Sequence, residues 1–449
     1  MGQKIDRTYL FERMPVGQAV RRQIIPSIAS QMVILLYNLA DTYFVGLLND
    51  ASQTAAVSLA YSVTLLMTAL ANLFAVGGAG RIAQLLGHRD RDGAREVCAV
   101  SFWFALLASA AFCVLFTLLS SPILRLCGAT DETYALACGY SRWVISVGGT
   151  FSILNTVLAN LIRADGSAFA ASMGVSAGGI INMLLDPLFV LPRFLGMGAE
   201  GAGLATAISN AAGMLILLGI IAARRRVGVV ALRPGDLRAA RRHIGRILRI
   251  GLPSAVQFLL TLVAVGALTK FMSLYDTAAV AALGIVKKLD MLPLYFSIGV
   301  ANGLLPLLAY NYSAGNHERR HRIFLCGCAV AVGFSVVCVA GYEVFAPALV
   351  RIFIGDAQTI AYGTKLLRIM VLAMPMMSVC YPMITQFQAM GRMRESLICS
   401  ILRKGSLDIP LLFVLNALFP LYGCAAVQPI VDCICMIVAI YFYKKLPTA

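Results

Sequence analysis

The sequence predicts an all-α integral membrane protein: twelve transmembrane helices in two pseudo-symmetric six-helix lobes, a parallel repeat, around a central cavity. Three observations carry that expectation. The 449 residues are 59% hydrophobic and only 13% charged, against about 25% charged in soluble domains, and mean hydropathy is +0.82. Apolar runs of roughly 20 residues, long enough to cross a bilayer, recur from end to end. Short strings also repeat in the same order in both halves: IIPSIASQ from Ile24 and GLPSAVQF from Gly251, TAAV at Thr54 and Thr277, LDPLFVL at Leu185 and LDIPLLFVL at Leu407.

Residues 1–22 read as a basic cytoplasmic tail without a cleaved signal peptide. Met1-Gly2 does not make a myristoylation site, because Asp6 stands where Ser or Thr is required. Spanning segments follow at 23–48, 54–82, 95–120, 133–158, 167–192 and 200–223, which make an N-lobe over 23–223. A basic linker at 224–248, opening on Arg224-Arg225-Arg226 and holding Pro234-Gly235-Asp236, separates it from a C-lobe over 249–443. That lobe's segments are 249–272, 277–308, 323–348, 358–388, 396–419 and 421–443, and 444–449 form the cytoplasmic C-terminus. Six helices per repeat make the two halves parallel, related by an axis along the membrane normal. Twenty-eight of the 37 Lys and Arg fall in the tails and alternate connections, Arg403 and Lys404 counted among them. Four (Arg125, Arg193, Lys270, Arg351) fall in the other connections, so the positive-inside rule places both termini in the cytoplasm.

Charges inside such segments cost at least about 2.5 kcal/mol each and mark cavities or partners. Asp41, Asp186, Asp290, Glu343, Asp408 and Asp432 are the intramembrane acids. Counting along the helices at about 1.5 Å per residue brings Asp41, Tyr140, Asp186 and Thr206 to one depth in the outer half. Asn182 shares a helical face with Asp186, and Tyr37 and Asn38 lie one turn before Asp41. Two carboxylates with amide and hydroxyl oxygens suit a hard cation such as Na⁺, with Asp41, Asn182, Asp186 and Thr206 as ligands. They equally suit a proton, because desolvation and mutual repulsion disfavour two charges. The plain alternative is interhelical hydrogen bonding that only holds the lobe together. Tyr37, Asn38, Tyr140 and Asn155 are expected around the substrate cavity.

The C-lobe does not copy this cluster. Lys287, Asp290, Asp408 and Asp432 form a possible second site, and Lys287 can pair with Asp290 three residues on; neutralised buried pairs explain these residues as well as a binding site does. Glu343, Lys365 and Arg368 read as structural residues of the outer interface. Pro26 and Pro253 can kink helices 1 and 7, Pro26 serving as a hinge below Asp41, unless each is a permissive first-turn proline.

Other motifs lead nowhere. Gly196-Met-Gly198-Ala-Glu-Gly201 fits GxGxxG but follows a membrane helix and not a strand, and Asn311-Tyr-Ser313 lies on the expected cytoplasmic side. The twelve cysteines lack metal or redox spacing, and all four histidines fall in polar connections. No P-loop, GxSxG or HExxH is present.

Several strings together resemble the multidrug and toxic compound extrusion (MATE) transporters, in particular the bacterial branch of DinF-like and MepA-like proteins. They are IPSIASQMVILLYNLADTYFVG, LLGHRDRDGA, RADGSAFAASMGVSAGGIINMLLDPLFV, GAGLATAIS, GLLPLLAYNYSAGNHERR and FQAMGRMRES, spread over residues 24 to about 400. The resemblance implies two six-helix lobes that alternate between inward- and outward-open states and exchange Na⁺ or H⁺ for organic, often cationic, amphipathic compounds. It implies an ion-coupling role for Asp41, Asn182, Asp186 and Thr206, bending at Pro26 and a cavity position for Tyr140. The NorM-like branch carries a helix 7 Glu where this chain has Thr261, which shifts weight to the N-lobe.

The resulting expectation is an antiporter of the inner membrane and no enzyme, with H⁺ or Na⁺ as coupling ion and no other cofactor. Its partners are small-molecule drugs and the lipid bilayer, with no nucleic acid, and it acts as a monomer. A flippase for lipid-linked sugars is the alternative; it wants a basic cavity for pyrophosphate, against which the N-lobe acids speak. A membrane transferase would need paired acidic motifs for Mg²⁺, and a scaffold would explain neither repeat nor acids.

Overall fold

A computed structural model describes residues 8–48, 50–126, 129–225 and 228–445. Residues 1–7 of the expected tail, Arg226 and Val227 of the linker and 446–449 of the C-terminus lie outside the described residues. A five-residue π-helical turn, Tyr9–Arg13, leads into α1 (Val16–Gly46), α2 (Ala51–Gly87) and α3 (Arg91–Leu126), and α4 is bent. Asp131–Ser141 runs on through a π-helical turn at Arg142–Val147, and beyond Gly148 the helix continues as Gly149–Ala164 at 45° to it. The first lobe closes with α5 (Ala168–Val190) and α6 (Gly198–Arg224).

A 3₁₀ turn at Pro234–Ala239 precedes α7 (Ala240–Met272), α8 (Thr277–Ser313) and α9 (His317–Arg351). The tenth span, α10, is again bent, by 44°, between Ala357–Val371 and Met374–Ala389. In α11, Met393–Ile401 and Asp408–Leu418 flank a π-helical turn at Leu402–Ser406, and α12 is Tyr422–Lys444. Among the described residues nine of these helices are long and apolar enough to span a membrane unaided and the bent α4 and α10 bring the number to eleven; α11, interrupted by its charged turn, is the twelfth helix of the bundle. The outer surface agrees: Leu118, Val337 and Val344 are each more than two thirds exposed, as suits a molecule whose solvent is hydrocarbon.

Three expectations need correcting. First, α1 begins at Val16 and α7 at Ala240, several residues before the predicted starts, because amphipathic turns carrying Arg21, Arg22, Arg241 and Arg246 continue each helix beyond its apolar run. Second, Arg403 and Lys404 do not belong to a loop. They occupy the turn inside α11, where Arg403 is 1% exposed and its Nε lies 2.9 Å from Asp432 Oδ1. Hydropathy cannot tell a loop charge from a neutralised interior one; the apolar residues on both sides are what place this pair inside. Third, Lys287 and Asp290 form no ion pair; the pair that forms is Arg403 with Asp432. Along α1 the helix is continuous across Pro26.

The lobes meet through α1 against α8 and α2 against α7 and α8. Both ends of the described chain lie at one end of the bundle, the terminal face. Every tight approach between the lobes is in that half. A Cβ on Gly251 would stand 1.9 Å from the carbonyl oxygen of Leu73, and one on Gly77 would stand 2.3 Å from that of Ile247. Gly299 and Gly303 let the backbones of Ile28 and Ile24 come equally close, the small-residue packing that membrane helices use in place of a hydrophobic drive. The apolar core is correspondingly continuous across both lobes in the terminal half. Toward the far face it divides, and the C-lobe keeps a separate core built on Ala279, Ala282, Leu283, Val286, Met370 and Leu412. The result is a cleft closed at the terminal face and open at the far one.

The turn Tyr9–Arg13 reinforces that closure. Phe11 is fully buried and stacks on Tyr310 of α8 with ring centroids 4.7 Å apart. Its carbonyl accepts from Asn311 Nδ2 (3.2 Å) and Arg319 Nε (2.8 Å), and Tyr310 donates to Glu12 (2.8 Å). On the other side Leu10 and Phe11 press on Gly166 in the α4–α5 connection, whose φ of +77° and tight surroundings suit glycine. One short segment thus touches both lobes.

Candidate ion and substrate site

Asp41 stands near the far end of α1, where it reaches into the first lobe and is 8% exposed. Its Oδ2 accepts a long hydrogen bond from Tyr140 (3.5 Å), carried on the short outer part of α4. Asp186, fully buried on α5, accepts from Asn182 Nδ2 at 3.3 Å, the i, i+4 contact their spacing predicts. Asn182 Nδ2 also reaches Thr206 Oγ1 of α6 at 3.3 Å. Tyr37 and Tyr140 lie within the electrostatic reach of both acids, and the acids feel each other. The four residues placed at one depth by counting therefore come together.

What the cluster lacks is donors. Asp41 Oδ1, Asp186 Oδ2 and Asn182 Oδ1 are all buried with no hydrogen-bond partner among the described residues. No base among the described residues forms an ion pair with either acid. Buried acceptors left unmatched are costly, and two carboxylates without a counter-charge more so. Oxygen-only donors from two acids, an amide and a hydroxyl fit a small hard cation or a proton. Among the described residues no three His, Cys, Asp or Glu side chains gather into a transition-metal site.

The other expected residues separate into two groups. Asn38 lies on the inter-lobe side, its Nδ2 donating to Tyr295 of α8 at 3.3 Å. Tyr37 packs on Gly179 of α5. Asn155 is buried inside the first lobe, where it donates to Asn210 (3.4 Å), and Asn210 in turn donates to the carbonyl of Thr206 (3.0 Å). In the second lobe Asp408 is buried with one orphaned oxygen, and Asp432 accepts from both Arg403 and Gln428 (2.8 Å). Lys404 donates to Gln428 (2.6 Å), and Arg403 lies over the ring of Tyr381 at 4.3 Å. Glu343 and Arg368 pair at 3.6 Å, half exposed at the outer edge.

Sequence reasoning overlooked Arg403, Tyr381 and Gln257, whose Nε2 donates to Tyr381 at 3.2 Å. The signal for Arg403 was present: a basic pair followed by Gly405-Ser406 within an otherwise apolar span, with Asp432 unmatched on the next helix. The turn at Phe11 had no comparable signal, since its partners lie some three hundred residues away.

The MatE family model matches this chain twice, over residues 26–188 and 253–414, once in each lobe and across more than two thirds of its length. The chain belongs to the MatE family. Multidrug export protein MepA of Staphylococcus aureus (strain NCTC 8325 / PS 47) is 29% identical over 437 residues, 97% of this chain and 95% of that protein. A solved structure described as the outward-facing conformation of a multidrug resistance MATE family transporter of the MOP superfamily superposes with a TM-score of 0.91 at 25% identity, covering 98% of each chain. A MOP superfamily transporter from Pyrococcus furiosus, whose binding pocket is described as of reverse polarity, gives 0.91 and 25% over 99% of this chain and 98% of that one. The two MatE matches coincide with the repeat read from the sequence, and the MatE fold accounts for both lobes.

Proposed function

We propose that the protein is a secondary antiporter of the cell's inner membrane, exporting amphipathic organic cations in exchange for H⁺ or Na⁺. The observation that carries this reading is the set of orphaned acceptor oxygens on Asp41, Asn182 and Asp186, buried without a counter-charge beside a cleft open at one face only. The multidrug export named for the staphylococcal relative supports the substrate class. The excess of basic residues on the terminal face persists without Arg403 and Lys404, and supports cytoplasmic termini. With that orientation the cleft opens outward.

Coupling then follows from charge. In the outward-open state the two acids take up H⁺ or Na⁺ from outside, which removes the repulsion between them and satisfies their free oxygens. The neutralised cluster favours closure of the far side and opening of the terminal face, where the ion leaves. The re-ionised acids attract the next organic cation. An ion drives transport only through its different affinity for the two states, so a cluster that binds it equally in both would not couple.

Purified protein in proteoliposomes, loaded with ethidium and given either a pH or a Na⁺ gradient, tests the proposal and identifies the ion. Transport driven by one gradient and abolished by the Asp41→Asn substitution is expected. Dye movement that ignores both gradients, or survives the substitution, overturns it.

A further inference from the structure

Lys288 on α8 is a half-buried basic residue within a membrane span for which the fold offers no structural role. It has no hydrogen-bond acceptor, acid or aromatic face among the described residues. The register of α8 fixes where it points. Ala279, Ala282, Leu283, Val286 and Pro293 turn into the C-lobe and are buried there. Gly284, Lys288, Met291 and Tyr295 repeat every three or four residues on the opposite side. The same side carries Gly299 and Gly303, which touch α1, and Tyr295, which meets Asn38 of α1. Lys288 therefore sits on the wall of the cleft that faces the first lobe, just past the point where the lobes part.

It stands about one helical turn beyond the acid cluster. Measured along the helices from the Asn38–Tyr295 contact, Asp41 lies about 4.5 Å and Lys288 about 10 Å further toward the far face. The two walls also differ in sign. The first lobe holds Asp41 and Asp186 with no base among the described residues paired to them, whereas Lys287, Lys288, Arg403 and Lys404 outnumber Asp290, Asp408 and Asp432 in the second. An unpaired ammonium in the membrane interior is expensive to keep unless it has an occasional partner.

We propose that Lys288 is a specificity-determining residue: it forms the anion half of a dipolar cleft, receiving the carboxylate of a transported compound whose cationic end faces the first lobe. Cations bearing a carboxylate are then substrates in their own right. The inference rests on the export function proposed above, and a matched dye pair separates the two. Rhodamine 110 carries a free carboxyl group, and rhodamine 123 is its methyl ester, so the ring system and the cation are common to both.

In proteoliposomes the wild-type protein is expected to move both dyes. Lys288→Gln should lower the ratio of rhodamine 110 to rhodamine 123 transport about tenfold, the loss of one charge-assisted contact, and Lys288→Arg should restore it. Equal thermal stability of the three proteins in detergent would confirm that folding is unaffected. Transport of rhodamine 123 and not 110 by the wild type, or an unchanged ratio in Lys288→Gln, overturns the anion subsite and leaves cation export standing. Failure to move ethidium or either dye removes the export function itself.

Discussion

At the scale of single residues the two lobes keep charge in the membrane by opposite means. Arg403 and Asp432 neutralise each other at 2.9 Å and are supported by Gln428 and Tyr381, so the charge there is balanced without a ligand even though Arg403 Nη1 finds no acceptor among the described residues. Removing one partner strands the other: Arg403→Met or Asp432→Asn alone should cost about 3–5 kcal/mol, read as a large drop in Tm in detergent, and the double substitution with Leu at 432 should recover most of it. Asp41 and Asp186 have no such counter-charge among the described residues, and each keeps an unmatched oxygen. Asp41→Asn or Asp186→Asn should leave Tm unchanged or raise it, because an amide relieves a buried uncompensated charge, while ion-driven ethidium transport falls to background. A stability loss like that at Arg403 would mean that the acids are structural. The acids were legible in the sequence because a carboxylate in an apolar run is conspicuous and depth can be counted along a helix. Arg403 was not, because a basic pair near a helix end reads as a loop until its acid partner is located in space.

At the scale of elements, function depends on which helix halves are zipped together. Glycines at 77 and 251 hold α2 against α7, and those at 299 and 303 hold α8 against α1, all in the terminal half. Gly251→Val places a side chain where the Leu73 carbonyl now stands and should force α2 and α7 apart. The expected outcome is a longer spin-label distance between the lobes at the terminal face, with the outward-open population reduced. The turn at Phe11 acts at the same place by a different route. Phe11→Ala removes the ring stacked on Tyr310 and should weaken closure in the same direction, without touching the acids. Unchanged distances in both variants would refute this account of closure. The helix count was readable from hydropathy, but the breaks were not. Gly148 lets α4 bend against Ala207 of α6, and the turn at Leu402–Ser406 needs the whole C-lobe to define it. Both are consequences of tertiary contact, to which an apolar run gives no clue.

For the whole molecule, the parallel repeat supplies two lobes of one architecture with unlike contents: an acid cluster in the first and a self-neutralised network, with Lys288 at its edge, in the second. Architecture was legible because it rests on repeated strings, whereas the division of labour rests on a few polar residues whose partners only the fold reveals. Orientation can be checked directly. A green fluorescent protein fused to the carboxy terminus should fluoresce and alkaline phosphatase at the same point should be inactive; the reverse result would invert the direction of transport proposed here. The docking of Phe11 also bears on biosynthesis. This turn leaves the ribosome some three hundred residues before its partners Tyr310, Asn311 and Arg319. The first lobe is thus inserted with its lock unfastened, and the lock can fasten only when α8 and the start of α9 have arrived. Fastening of this lock during assembly and its closing in each proposed transport cycle are then the same physical event, so a chain stalled before residue 310 seals its terminal face with the glycine contacts alone.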